Sequence, residues 1–108
     1  MHYHIILSPD AEADINSIVW WYQSKDLNVA LRFRAETDAM LQRIAQFPYR
    51  FQLINSGLRR ALVKRFPYSI FFYLYMTEVF VIAVLHQKRA NVPWIYRGNG
   101  QRSPKRPP

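Results

Sequence analysis

The sequence contains no cysteine and only three glycines in 108 residues, and each shortage removes a class of function. Without thiols there is neither a disulfide framework nor a thiolate metal site, which fits a reducing compartment. With Gly57, Gly98 and Gly100 as the only glycines, no glycine-rich phosphate loop can be built. No apolar run approaches the roughly 18 residues of a membrane span, and the first residues lack the basic-then-apolar order of a secretion signal. Acids are scarce as well, 7 against 15 Lys and Arg, for a formal charge of +8. The expectation is a cytosolic protein without cofactor, metal or membrane contact, whose field favours acidic or polyanionic partners. The length suits one small domain with a real core.

What is present is a dense β-forming region from Gly57 to Arg89. Its Val, Ile, Phe and Tyr content predicts three strands, Leu58 to Phe66, Tyr68 to Tyr75 and Val79 to His86. Pro67 marks the first break because it cannot donate to a ladder. Connections of one to three residues leave no room for a crossover, so the strands form an antiparallel meander. Alternation of apolar and polar residues fails there. The middle strand puts Ile70, Phe72 and Leu74 on one face and Phe71, Tyr73 and Tyr75 on the other. The last puts Val79, Val81, Ala83 and Leu85 against Phe80, Ile82 and Val84. Both faces therefore need cover.

Upstream, Tyr3, Ile5 and Leu7 alternate with His2, His4 and Ile6 as in a half-buried strand. Ser8-Pro9 then announces a helix to Ser24, with Ser8 as N-cap and Asp10, Glu12 and Asp14 on the positive end of its dipole. Ala11, Ile15, Ile18, Val19 and Tyr22 form the buried stripe. Trp20 points nearly opposite, either as a side chain without purpose or as an aromatic anchor for a partner. A second helix runs from Val29 to Gln46 with Ala30, Phe33, Thr37, Met40, Leu41 and Ile44 inward. Arg32–Glu36 and Arg34–Asp38 form charge pairs on its other faces. The helical hairpin returns the chain to its start, so that the next strand can run antiparallel to the first. It covers one sheet face.

Tyr49 to Ser56 reads as an aromatic and polar loop carrying Arg50, and Gly57 as a turn. After Ala90 the composition shifts to Gly, Pro and cations. The domain is therefore placed at residues 1–96, with a basic disordered tail at 97–108 that either solubilises the chain or strengthens contact with nucleic acid. His2 and His4 share a strand face, but two imidazoles without a further ligand make a poor metal site. The aromatic residues are not interleaved as in an RNA-stacking sheet.

LSPDAEADI entering the first helix, QFPYRF closing the second, RRALVKRFPYSIFFYLY on the central strands and VIAVLHQKR at the end resemble the RelE/ParE toxin superfamily of type II toxin-antitoxin modules, over residues 1–94. The resemblance implies an α+β fold: an N-terminal strand, a two-helix hairpin, then an antiparallel three-strand meander in one sheet with the helices on one face. It also implies a plasmid-stabilisation type of toxin that inhibits growth and is neutralised by a cognate antitoxin wrapping the toxin. Phe71, Tyr73, Tyr75, Arg59, Arg65 and Trp20 are the candidates for that contact, since an open aromatic face needs a partner.

Two activities divide the superfamily. The RelE-like branch cuts mRNA on the ribosome without metal, by attack of a ribose 2′-hydroxyl on the adjacent phosphate. That reaction needs a proton acceptor, a proton donor and cations for the developing charge. On this chain His86 would serve as acid or base, with Arg89, Arg60 and Lys64, joined by Arg59 and Arg65, as phosphate clamps. The plain alternative is that these cations are solvated strand ends and His86 is structural. The ParE-like branch poisons DNA gyrase by binding, and the long second helix, SPDAEADI and VLHQKR look closer to it. A non-toxic binding module is the third possibility.

Overall fold

Ser8 fixes where the first helix begins. Its backbone is extended and its Oγ accepts the Ala11 N–H at 3.0 Å, with Pro9 in the first helical turn, so one orphan donor of the helix end is satisfied. In the computed structural model, which describes residues 2–89, α1 spans Pro9–Gln23 and α2 spans Leu27–Gln46. α2 starts ahead of the expected Val29 because Asp26 caps it, its Oδ1 accepting the Asn28 N–H at 2.9 Å. The apolar stripes behave as their spacing requires: Ala11, Ile15, Ile18, Ala30, Phe33, Thr37 and Ile44 are buried, and Met40 and Leu41 pack against them. Glu36 pairs with Arg65 at 3.7 Å rather than with Arg32, a solvent-screened contact of little energetic weight.

Five strands form one sheet in the order β1-β5-β4-β3-β2: β1 His4–Leu7, β2 Gln52–Asn55, β3 Leu58–Leu62, β4 Tyr68–Tyr75 and β5 Glu78–His86. The α+β arrangement holds, with both helices contributing to the core on one sheet face. Several features differ from the sequence reading. The meander has four strands, because Gln52–Asn55 pairs antiparallel with β3 across a two-residue turn. Ser56 and Gly57 there both have positive φ, 45° and 86°, the geometry whose twist matches a tight hairpin. The direction antiparallel to β1 is thus taken by β2, and β1 itself pairs in parallel with β5, Leu7 opposite Val81. β3 also ends at Leu62, short of the expected Phe66. Val63 donates instead to the Tyr68 carbonyl at 2.9 Å and Arg65 takes φ 70° in the turn.

A bulge in β5 overturns the expected parity of that strand. Phe71 faces Ala83 but Phe72 faces Val81, leaving Ile82 as the extra residue. An extra residue moves every later side chain to the opposite face. Val79 and Val81 lie on the helix side, as does Val84, whereas Ala83 and Leu85 belong to a second cluster with Leu58 and Phe71. The bulge is held from α1: Asp14, only 1% exposed, accepts the Val84 N–H at 2.9 Å, and Ser8 Oγ donates to the Ile82 carbonyl at 3.4 Å. Asp14 is therefore a tertiary ligand of the sheet as well as a charge near a helix N-terminus. Residues 90–108, and with them the expected domain boundary and tail, lie outside the described residues.

Candidate functional site

The bulge decides where His86 goes. Opposite Tyr68 in register, its ring meets the Tyr68 ring edge-on at 5.2 Å between centroids, and its Nδ1 accepts the Lys88 N–H at 3.1 Å. That ring nitrogen is thereby occupied as an acceptor. Tyr68 is fully buried among Tyr22, Phe33 and Phe66. Burial first, then the charge and hydrogen bond of Tyr22, push its phenol far above the ordinary tyrosine range. It is a core residue that stays protonated.

Those proposed phosphate clamps whose side chains are described are spread over both sheet faces and the β3–β4 turn. Arg60 faces Phe71 across the β3–β4 ladder, on the face away from the helices, and donates to Gln52 Oε1 at 2.7 Å. Lys64 and Arg65 are exposed in the β3–β4 turn, close to the end of β5, since Gln87 N–H bonds the Pro67 carbonyl at 2.8 Å. Arg59 turns to the helix side, where its guanidinium donates to the Phe51 carbonyl at 2.8 Å and lies 5.2 Å from the Tyr49 ring centre. The side chain of Arg89 lies outside the described residues.

The aromatic face is less open than its composition implied. Phe71 is wholly buried, with Leu58, Ala83 and Leu85 around it, while Tyr73 is half-buried and Tyr75 is 65% exposed. No helix residue among the described residues enters this cluster. Of the three aromatics on this face that were singled out for partner contact, only Tyr73 and Tyr75 offer a surface. Trp20 stands 68% exposed on α1, the geometry an anchor needs. Trp21 instead packs edge-on against Tyr22 with Lys25 over its ring, 5.3 Å away in each case.

Folding also assembles a recess that the sequence did not announce. Tyr3, Gln46, Phe47, Pro48, Tyr49 and Arg50 line a cavity of about 400 Å³ where α2 gives way to a short helical turn at Pro48–Arg50. Tyr3 and Tyr49 meet edge-on at 6.3 Å, and the Arg50 guanidinium stacks on Phe47 at 4.2 Å. Desolvation, followed by the hydrogen bond and charge of Tyr49, raises the Tyr3 phenol above its usual value. The signal in the sequence was the Phe-Pro-Tyr-Arg run at a helix stop. What could not be read was that β1 delivers Tyr3 to it. Among the described residues no three His, Cys, Asp or Glu side chains come together as a metal site, and no helix is long and apolar enough to cross a membrane.

The family model for the ParE toxin of the type II toxin-antitoxin system, parDE, matches residues 5–91. Among solved structures, one described as the chromosomal ParDE TA system from P. aeruginosa superposes with a TM-score of 0.69 at 17% identity, covering 79% of this chain and 96% of that one. At that identity the likeness establishes a shared fold. No curated protein matches the chain.

Proposed function

The chain belongs to the ParE toxin family of type II toxin-antitoxin systems, and from that premise we propose that this toxin acts by binding DNA gyrase in the cytoplasm and is silenced by a cognate antitoxin. One observation carries the preference for binding over RNA cleavage: the candidate groups for phosphate chemistry are divided between the two sheet faces. His86 lies on the helix side against Tyr68, and Arg60 on the far side beside Phe71. In-line transphosphorylation requires donor, acceptor and cations around a single phosphate. A divided set suits separate contacts with protein surfaces. The antitoxin assignment is supported by family membership and by the paired toxin-antitoxin system of the solved relative.

Ribosome-dependent mRNA cleavage stays as the second reading because Lys64 and Arg65 occupy the turn beside the His86 end of β5. Purified protein added in parallel to gyrase supercoiling and to programmed ribosomes separates the two. Loss of supercoiling with intact message is the expected result. Cleaved message that disappears in His86→Ala would replace the proposal with the nuclease. Unimpaired growth during verified expression would point to a binding module without toxicity.

A further inference from the structure

Two aromatic rings at the C-terminal end of α2 stay open to solvent, and each has a guanidinium against it. Phe47 is 43% exposed and Tyr49 65%. The Arg50 guanidinium lies 4.2 Å from the Phe47 ring centre, and that of Arg59 lies 5.2 Å from the Tyr49 ring centre. Folding thus interleaves rings and cations, with Arg59 brought in from β3. Among the described residues no carboxylate pairs with either arginine. Both keep charge to offer an anion. The recess beside them, about 400 Å³, falls within the range of small-ligand sites, about 300–1,000 Å³.

Charge and ring together select the occupant. From Ala39 to Thr77 there is no Asp or Glu, and Arg43, in the last turn of α2, adds a third cation. Glu78, opposite His4 in register, is the carboxylate that strand pairing brings to this end of the sheet. The lining also holds the Gln46 amide, which offers both a donor and an acceptor. A ligand that matches it needs a flat ring, an anion beside that ring and polar edges. A nucleotide carries all three in every repeat, and an aromatic platform accepts any base because every base has a π-face. We propose that the recess of Tyr3, Phe47, Tyr49 and Arg50 binds an unpaired nucleotide of a single strand, its base against the open Tyr49 ring and its phosphates at Arg50 and Arg59. The contact uses ring faces and phosphate charge, so it takes DNA and RNA alike. It lies apart from the divided set of His86, Arg60 and Lys64, requires no cleavage, and stands whether or not gyrase is the target.

The test uses the full chain, isotope-labelled, and a short oligothymidylate. Backbone amide shifts at Tyr3, Gln46, Phe47, Tyr49 and Arg50 are expected, weakening as salt is raised. Tyr49→Ala should reduce affinity about tenfold, the worth of one base stacked on a ring, whereas Tyr49→Phe should stay within about twofold of the parent. Arg50→Gln should reduce affinity and also flatten the logarithmic salt dependence by about 0.7, the signature of one lost phosphate contact. Both side chains are exposed, so the rest of the spectrum should stay in place. Oligouridylate should bind within about threefold of oligothymidylate, and a duplex, whose bases are stacked inside, at least about tenfold more weakly. The proposal is overturned if no shift appears at millimolar oligonucleotide, if shifts gather instead at Arg60, Lys64 and His86, or if Tyr49→Ala binds as the parent does. A Glu-rich peptide that binds the same residues as tightly also overturns it, because charge alone would then fill the recess. Supercoiling assays keep the two layers apart: untouched gyrase would remove the gyrase reading without altering where the oligonucleotide binds.

Discussion

Replacing Asp14 tests how the bulge is held. The carboxylate is buried and accepts the Val84 N–H at 2.9 Å, and Val84 itself is 2% exposed, so water cannot substitute for a lost partner. Asp14→Ala removes the hydrogen bond accepted by its carboxyl oxygen and leaves a buried donor unmatched, together about 3 kcal/mol. In a domain of this size each kcal/mol corresponds to about 4–8 °C in Tm, which places the variant about 12–24 °C below the parent. Asp14→Asn retains an acceptor oxygen and should lose roughly half as much. Glu12→Ala, in the same helix but exposed, serves as the control and should stay within about 0.5 kcal/mol. Denaturant melts give the energies, and hydrogen exchange at the Val84 amide gives the location. If Asp14→Ala unfolds within about 0.5 kcal/mol of the parent with the Val84 amide still protected, the latch is not what holds the bulge.

Two further outcomes follow from single side chains. Thr37 is completely buried with its Oγ1 lacking a hydrogen-bond partner, so Thr37→Val should raise stability by about 1 kcal/mol, read from the urea midpoint. Tyr68 keeps its proton in the fold at pH values where the unfolded chain has lost it. Its contribution is therefore complete below about pH 10 and declines as alkali is added beyond that point, because the unfolded state then binds fewer protons. Alkaline melts of Tyr68→Phe should show a shallower decline than the parent, and an unchanged slope would mean Tyr68 is not protected by the core.

Local rules were enough for much of this architecture. Ser8-Pro9, the stripe from Ala11 to Tyr22 and the β-rich run from Tyr68 to His86 each carry a short-range signal, and each forms the element it implies. β2 escaped because Gln52–Asn55 has no buried side to impose alternation, and only the Ser56-Gly57 turn betrays it. The β5 bulge escaped for a different reason. Phe80 to Leu85 is apolar at every position, so the sequence could not show where parity breaks, and the acceptor that marks the spot, Asp14, lies 70 residues away. That hidden phase change carried His86 to the helix side and divided the expected catalytic set. The recess at Phe47–Arg50 likewise depended on a strand from the other end of the chain.

Leu7 rests beside Val81, so among the described residues the first strand to be synthesised is matched with the last. A chain interrupted anywhere before Glu78 has β1 with no neighbour to lie along, and the sheet lacks one whole border. Contacts between such remote positions close slowly. The sheet consequently gains its last border only after β5 has been made.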